Sequence, residues 1–223
     1  MAKALMCAPE LLSKDLTGRR IVVTGGNSGI GFVCVKQLAS QGAHVVLACR
    51  RVGEGEKRVV EILSEFPKAS VEVQALDLGD LASVRAFAEL RAAGDGPLHG
   101  LLNNAGVMNT DEGKTKDGFE TQIGVNHLGH FLLTELLVPL LEKGAPSRIV
   151  NVSSCFHDKA MGRDGKIVID DLFFESRKYD GWEAYAQSKL ANLLHARALA
   201  KHLDGKGIVE HLGESMGVFE KLN

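Results

Sequence analysis

The chain has 223 residues, of which 45% are hydrophobic and 24% charged, and its formal net charge is −2. This composition is typical of a globular protein with a sizeable core, and without an excess of basic residues it argues against a nucleic-acid partner. The length fits one domain, with residues 1–15 as an N-terminal extension and 208–223 as an atypical tail.

The cysteines and the N-terminus bear on the compartment. None of the four cysteines has the spacing of a metal or disulfide motif, so we expect reduced thiols inside the cell. Residues 1–12 hold only a short apolar run, broken by Pro9 and Glu10, which predicts neither a membrane span nor a secretory signal. The expected location is the cytoplasm, with an organelle such as the plastid as the alternative.

Residues 20–31, with the sequence RIVVTGGNSGIG, predict a buried strand that turns into a helix through a glycine-rich loop. Gly25, Gly29 and Gly31 carry no Cβ, so backbone N–H groups and the positive end of the helix dipole can approach a pyrophosphate. The implied ligand is a dinucleotide. A tight strand-to-helix turn without a ligand is the alternative.

Strand patterns alternate with helical ones along the rest of the chain. The strand patterns after the first are 43–49, 71–76, 100–102 and 148–152, and the helical patterns between them are 54–66, 81–91 and 118–142. Such alternation predicts an α/β fold: a Rossmann-type, doubly wound parallel sheet in three layers, with the ligand beyond the carboxyl ends of the strands. The irregular segment 155–182 is long enough to be functional or mobile.

Four motifs occur in one order: TGxxxGIG, Asp77-Leu78, NNAG at 103–106 and Tyr-x-x-x-Lys at 185–189. Together with the phrases VNHLGHFLLT and RIVNVSS, they resemble the short-chain dehydrogenase/reductase family, in particular its retinol dehydrogenase-like branch, which includes WW-domain oxidoreductase-like members. The resemblance runs from about Leu16 to Leu203.

The resemblance implies a set of residues that hold the dinucleotide at the ends of successive strands. These residues are Gly25, Asn27, Ser28, Gly29, Ile30, Gly31, Arg50, Asp77, Leu78, Asn104, Ala105, Gly106, Tyr185 and Lys189. Read without the resemblance, Asp77 is an ordinary helix N-cap and NNAG an ordinary turn.

The end of the second strand predicts which dinucleotide binds. Cys49 stands where an NAD site normally presents a carboxylate to the adenosine ribose, and Arg50 and Arg51 follow it. A guanidinium pairs with a 2′-phosphate and cannot accept the ribose hydrogen bonds. The sequence therefore favours NADP(H) over NAD(H), although two solvated arginines beside a strand end are the alternative.

Tyr185 and Lys189 carry the expected acid–base chemistry. Their i, i+4 spacing places both side chains on one helix face, where the ammonium is expected to lower the pKa of the phenol. Without the other motifs, an amphipathic surface helix explains the same spacing.

Two further residues follow from the resemblance alone. It assigns Ser154 to hold the substrate oxygen and leaves Ser153 to satisfy the backbone. It also assigns Asn126 to bind a water in the proton relay to Lys189; a helix kink at Asn126 is the alternative.

Other candidate residues receive no role. His127 and His130 are spaced like metal ligands, but no third ligand has suitable spacing, and the resemblance implies no metal; we expect packing or surface histidines. Tyr179 and Trp182 are interpreted either as the wall of a hydrophobic substrate pocket or as loop anchors.

The expected function is NADP(H)-dependent hydride transfer between a lipophilic alcohol and its aldehyde or ketone, and the resemblance implies a homodimer through the long helix and the Tyr-x-x-x-Lys helix. After Gly207 the sequence lacks the family's Pro-Gly turn and any strand-length apolar run. We therefore expect the last two strands to be missing from a C-terminally truncated chain. A cofactor-binding or interaction protein without turnover is the alternative function.

Overall fold

The computed structural model describes residues 9–94, 96–158 and 165–214. The strands are β1 (Arg20–Thr24), β2 (His44–Cys49), β3 (Ser70–Ala75), β4 (Gly100–Asn103), β5 (Ser147–Ser153) and β6 (Ile208–Glu214). The helices are α1 (Pro9–Leu12), α2 (Gly29–Ser40), α3 (Val52–Glu65), α4 (Leu81–Gly94), α5 (Thr121–Ile123), α6 (Gly129–Lys143) and α7 (Gly181–His202). A π-helical turn (Gly124–Leu128) joins α5 to α6, and 3₁₀ turns lie at Cys155–His157 and Ile169–Asp171.

All six strands form one parallel sheet in the order β3-β2-β1-β4-β5-β6. The chain therefore moves outward from β1 in one direction, returns through α4, and continues outward from β4 in the other direction. The doubly wound Rossmann-type sheet predicted from the sequence is confirmed. In such a sheet the carboxyl ends of the two central strands, here β1 and β4, leave a crevice between the loops that follow them.

Alternate residues of the central strands pack on opposite faces of the sheet. Val22 of β1 faces a cluster that includes Phe87 of α4 and Leu133 of α6, whereas Val23 faces a cluster that includes Leu38 of α2 and Ile62 of α3. Because both faces are covered, the strands read as continuous apolar runs in the sequence.

The predicted long helix is interrupted. It begins at Thr121, where the buried Glu120 accepts hydrogen bonds from the N–H groups of Gln122 and Ile123, and it passes through the π-helical turn before continuing to Lys143. Among the described residues this is the one helix with the length and hydropathy of a membrane span, with a mean hydropathy of 1.2 over a window that is 50% buried. Leu133 and Leu137 are fully buried in the core, as in the central helix of an α/β fold.

The expectation that no strand follows Gly207 is wrong. Ile208–Glu214 pairs in parallel with β5 over its whole length, from Ser147 opposite Ile208 to Ser153 opposite Glu214. Backbone hydrogen bonding needs no apolar run, and Ile208 alone anchors the strand in the core. As a result β5 is not an edge strand; the rest of the expectation concerns residues 215–223, which lie outside the described residues.

A chain of polar side chains crosses the sheet from α6 to β6. The Asn103 Nδ2 atom donates to Thr134 Oγ1 (2.9 Å) and to Asn151 Oδ1 (2.8 Å), and Asn151 Nδ2 donates to Glu210 Oε1 (2.9 Å). Burial raises the pKa of Glu210 to about 6. The carboxylate form is therefore unfavourable at this position even though it keeps one hydrogen bond.

Glu210→Gln is predicted to stabilise the protein at neutral and alkaline pH. The folded pKa of about 6 lies above the ordinary value of 4.5, so the stability due to the protonated carboxyl is lost as the pH rises through about 6. Glutamine keeps an oxygen for Asn151 and carries no charge. After allowance for solvent screening of this partly exposed group, we expect the free energy of unfolding to rise by about 1 kcal/mol near pH 8. Near pH 4 we expect no gain.

The measurement is thermal unfolding as a function of pH. Glu89→Gln, at an exposed position of α4, is the matched control and should change stability little at any pH. A gain for Glu210→Gln that is the same at both ends of the pH range would contradict a carboxylate penalty.

Candidate active site

A cleft of about 410 Å³ opens at the carboxyl ends of the strands. Its lining residues are Thr24, Gly25, Asn27, Ser28, Ile30, Gly31, Ala48, Cys49, Arg50, Arg51, Leu76, Asp77, Leu78, Asn104, Ala105, Gly106, Val107, Thr121 and Val125. The predicted cofactor residues are all among them except Gly29, Tyr185 and Lys189. Sequence reasoning missed several lining residues. Thr24, Ala48, Leu76 and Val107 adjoin the predicted motifs, and Thr121 and Val125 belong to α5 and to the π-helical turn.

The glycine loop forms a cradle at the N-terminus of α2. Gly25 has a φ of +66°, and a Cβ built on Gly31 would lie 2.4 Å from the Gly25 carbonyl oxygen, so a side chain at residue 31 is sterically excluded. Ser28, the N-cap, makes no side-chain hydrogen bond to the first turn of the helix. This helix N-terminus can therefore bind an anion, and the residues present fit the pyrophosphate of a dinucleotide.

The structure separates the two interpretations of Asp77. The helix that follows is capped by Asp80, whose Oδ1 atom accepts from the N–H groups of Ala82 (3.0 Å) and Ser83 (3.4 Å). Asp77 lies in the cleft wall, and its Oδ1 atom accepts from the N–H of Gly79 (2.9 Å). The N-cap interpretation of Asp77 is wrong, and a carboxylate is present at the cleft.

The end of β2 presents basic side chains to the same cleft. Cys49 is buried, whereas Arg50 and Arg51 are exposed and line the cleft beside it. The place where a carboxylate would accept hydrogen bonds from a ribose therefore holds a thiol, with two guanidinium groups next to it.

The NNAG segment is tied to the end of β1. Thr24 Oγ1 accepts from the N–H groups of Asn104 (2.9 Å) and Ala105 (3.0 Å), and Asn104 Nδ2 donates to the Thr24 carbonyl oxygen (2.9 Å). Asn103, the last residue of β4, reaches across the sheet to Asn151 instead. The segment therefore forms a fixed wall of the cleft.

Tyr185 and Lys189 lie close together near this wall. The Lys189 ammonium is 5.6 Å from the centroid of the Tyr185 ring and donates to the Val152 carbonyl oxygen (3.0 Å). Lys189 is only 4% exposed, and burial lowers its pKa to about 8. The side chain thus pays a desolvation cost at neutral pH that its hydrogen bond offsets only in part.

The predicted lowering of the Tyr185 pKa is wrong for this structure. Burial raises the pKa of the phenol, and a hydrogen bond with the Ser154 side chain opposes that rise. The ammonium does not reverse the direction because it is directed to Val152, not to the phenol oxygen.

The two serines at the end of β5 have different surroundings. Ser153 is buried, and its hydroxyl donates to the Lys189 carbonyl oxygen (2.9 Å), which satisfies the backbone. Ser154 is half-buried; its hydroxyl lies beside Tyr185 and accepts weakly from the N–H of Phe156 (3.4 Å).

Asn126 lies in the π-helical turn, fully buried. Its Oδ1 atom accepts from the N–H of Val107 (2.8 Å), and its Nδ2 atom donates to the Val107 carbonyl (2.9 Å) and to Ser188 Oγ (2.9 Å). Both amide hydrogens are used, so a water near Asn126 can bind only to an oxygen of this residue. The helix departs from α geometry at this turn, as the kink interpretation predicts.

The aromatic residues before and within α7 have separate roles. The Tyr179 hydroxyl accepts from Gln122 Nε2 (3.0 Å) and donates to Glu120 Oε1 (3.2 Å), so Tyr179 is a loop anchor. The Trp182 ring stacks on Phe156 with centroids 5.0 Å apart, and both rings lie edge-on to Tyr185. These two rings form an apolar wall next to the phenol.

Neither histidine of the long helix is placed as a metal ligand, and the described part of the chain contains no group of three or more His, Cys, Asp or Glu side chains that could hold a metal ion. His127 is half-buried and lies 3.2 Å from Asn192 Oδ1, whereas His130 is 2% exposed.

Comparison with known sequences adds the following findings. The profile described as short chain dehydrogenase matches residues 19–163. Human retinol dehydrogenase 12 is 50% identical over 197 residues, which cover 88% of this chain and 60% of that protein. The human WW domain-containing oxidoreductase is 43% identical over 207 residues, which cover 92% of this chain and 50% of that protein. The chain thus spans less than two thirds of the length of these relatives.

Solved structures share the fold. A crystal structure of an uncharacterized protein from Mycobacterium Paratuberculosis superposes with a TM-score of 0.79 at 41% identity, covering 90% of this chain and 69% of that one. The Pseudomonas aeruginosa RhlG/NADP active-site complex superposes with a TM-score of 0.72 at 26% identity, covering 92% of this chain and 74% of that one.

Lys189→Met is predicted to stabilise the fold at neutral pH. Because the folded pKa of about 8 lies below the ordinary value of 10.5, the folded protein binds fewer protons than the unfolded chain between these values, and stability rises with pH across this window. Methionine removes the buried charge, and Asn192 Nδ2 still donates to the Val152 carbonyl (3.3 Å). We expect a gain of up to about 3 kcal/mol near pH 7 that disappears toward pH 10.5.

Thermal unfolding at several pH values measures this gain. Lys201→Met, at an exposed position of the same helix, is the matched control and should give none. A destabilised Lys189→Met protein at pH 7 would show that the ammonium is well solvated or well paired.

Proposed function

Because the chain belongs to the short-chain dehydrogenase family, we propose that it is an NADP(H)-dependent oxidoreductase that interconverts a lipophilic alcohol and its aldehyde or ketone. One observation carries this proposal: Lys189 lies next to the cleft that fits a dinucleotide. Gly106 is part of the cleft wall, and a Cβ built on Gly106 would lie 3.7 Å from Lys189 Nζ. The acid–base side chains therefore adjoin one end of the cleft, and Arg50 lies in its wall at the end of β2.

The side chains divide the work of a carbonyl reduction. A bound nicotinamide supplies the hydride in this direction and accepts it in the other. Burial raises the pKa of Tyr185, so the phenol is protonated at neutral pH and can donate its proton to the substrate oxygen. Ser154, beside the phenol, donates a hydrogen bond to the same oxygen, and Lys189 supplies positive charge as the phenolate forms.

Asn126 completes the proposed relay through its position. It holds both backbone groups of Val107 and, through Ser188, contacts the helix that carries Tyr185 and Lys189. In this relay Lys189 passes a proton to the phenolate, and a water bound to an oxygen of Asn126 would replace the proton that Lys189 has lost.

The wall formed by Phe156 and Trp182 supports a lipophilic substrate, since flat apolar rings favour apolar, planar groups near the reacting carbon. The name retinol dehydrogenase, borne by a relative with 50% identity, agrees with that class.

Tyr185→Phe is predicted to remove turnover and keep cofactor binding. Loss of a general acid costs about 10²–10⁴-fold in rate, whereas the ring still fills its place against Phe156. Oxidation of NADPH with a panel of retinoid and short-chain aldehydes measures the rate, and calorimetric titration with NADPH measures binding.

The chain's second tyrosine provides the matched control. Tyr179→Phe also removes one hydroxyl, but from a loop anchor, so it should lower thermal stability and leave turnover within a few-fold of the parent. Equal activity of the parent and the Tyr185→Phe protein would refute the assigned acid. A parent that binds NADPH but reduces no aldehyde would favour the alternative of a cofactor-binding protein without turnover.

Arg50→Asp is predicted to reverse the cofactor preference. A charge-assisted hydrogen bond to a 2′-phosphate contributes about 1.5–3 kcal/mol, so the affinity for NADPH should fall about 10–100-fold, while the new carboxylate can accept from the ribose hydroxyls of NADH. Titration with NADPH and with NADH gives the two dissociation constants.

Arg85→Asp is the charge-matched control, because Arg85 is an exposed residue of α4 and does not line the cleft. If the two variants weaken NADPH binding equally, the effect is one of overall charge and Arg50 makes no specific contact.

A further inference from the structure

His130 is buried inside the fold, yet both of its ring nitrogens have a polar neighbour. Nδ1 lies 3.0 Å from the backbone carbonyl oxygen of Asn126, and Nε2 lies 2.8 Å from the hydroxyl oxygen of Thr24. The imidazole thus spans from the π-helical turn to the end of β1, two elements that sequence analysis does not connect.

The neighbours determine which nitrogen carries the proton. A carbonyl can only accept, so Nδ1 must donate to Asn126. The Thr24 oxygen already accepts from two backbone N–H groups, those of Asn104 and Ala105, so its own hydrogen must be donated. Unprotonated Nε2 is the acceptor at 2.8 Å, closer than the Leu102 carbonyl at 3.3 Å. The neutral Nδ1–H tautomer satisfies every group.

Both partners of His130 hold the same short segment of the cleft wall. Thr24 binds its beginning, through the N–H groups of Asn104 and Ala105. Asn126 binds its end, through the N–H and the carbonyl of Val107. Between these two attachments lies Gly106, where a built Cβ would lie 3.7 Å from Lys189 Nζ.

We propose that His130 is a positioning residue: by bridging Thr24 and Asn126 as the Nδ1–H tautomer, it fixes the segment 104–107 against the dinucleotide and at its distance from Lys189. The bridge itself follows from the contacts; its effect on turnover rests on the proposed function.

Burial keeps the His130 ring neutral at neutral pH. Burial is the main reason that the pKa of His130 falls to about 3, and the Lys189 ammonium, His127 and His195 lower it further. Protonation would place a hydrogen on Nε2, opposite a hydroxyl that needs an acceptor. The bridge is therefore a constant feature above about pH 4 and not a pH switch.

Two substitutions test the bridge. His130→Leu removes both hydrogen bonds and leaves an apolar side chain in the cavity. His130→Gln places an amide oxygen near the position of Nε2, so it can still accept from Thr24 but is too long to keep the bond to Asn126. We expect NADPH affinity and kcat each to fall by at least about 10-fold in His130→Leu, with partial recovery of NADPH affinity in His130→Gln.

His195→Leu is the matched control. His195 is also a buried histidine of a long helix, but it contacts the rings of His127 and Phe131, and its Nε2 atom has no hydrogen-bond partner among the described residues. This variant should keep the parent's NADPH affinity and kcat. If His130 is purely structural, the His130→Leu protein will have a lower melting temperature but an unchanged NADPH affinity, measured well below that temperature. That result would overturn the proposal.

Nitrogen-15 NMR of histidine-labelled protein tests the bridge without activity. The resonances that vanish in His130→Gln should show a protonated Nδ1 and an unprotonated Nε2, with no titration between about pH 5 and pH 9. The Nε2–H tautomer, or titration near the ordinary pKa of 6.5, would overturn the proposal. Because this measurement needs neither cofactor nor substrate, it remains decisive if the parent proves inactive and the proposed function fails.

Discussion

The hydroxyl of Thr24 is the point on which the geometry of the cleft depends. It lies at the carboxyl end of the first strand and satisfies two N–H groups that belong to the loop after the fourth. Both N–H groups are partly buried, and a fully buried N–H without a partner costs about 1–3 kcal/mol. One hydroxyl therefore removes part of two such penalties and joins residues 80 positions apart in sequence. The glycine cradle on one side and the acid–base side chains on the other are both placed relative to this junction.

A second constraint is the buried ammonium of Lys189. Its position between Val152, Tyr185 and Gly106 is unfavourable for folding, because burial alone shifts its pKa to about 8. Retention of such a group in an otherwise well-packed interior is typical of a functional site, where stability is given up for a charge at the reacting atoms. The pKa of the adjacent Tyr185 phenol is shifted in the opposite direction, upward. Burial therefore favours the uncharged form of both side chains.

Much of the fold was predictable because a doubly wound parallel sheet leaves a strong signal in one sequence. Buried strands such as β1 contain runs of β-branched residues, and glycines mark the turn into α2. The cleft residues were predictable for the same reason: they follow strands directly, and the carboxyl ends of parallel strands meet at one edge. Asp77 was placed in the cleft, although only the contact of Asp80 with α4 excludes its role as a helix cap.

The failures have physical causes as well. The strand Ile208–Glu214 has no apolar pattern, because it is held by backbone pairing to β5 and by a single buried isoleucine. The direction of the Tyr185 pKa shift depends on how deeply the ring is buried. The sequence spacing between Tyr185 and Lys189 gives no information on that burial. The bridging role of His130 leaves no signal in the sequence, because its two partners belong to different elements of the fold and one of them is 106 residues away in the chain.

The proposed function requires that this cleft bring a nicotinamide to the carbonyl carbon of a lipophilic substrate beside Tyr185. The most direct measurement uses NADPH deuterated at the transferable position, incubated with the protein and a retinoid aldehyde, with the product alcohol analysed by mass spectrometry and NMR. We expect one deuterium on the carbinol carbon. Cofactor that binds in the cleft while its label never reaches the alcohol would contradict it.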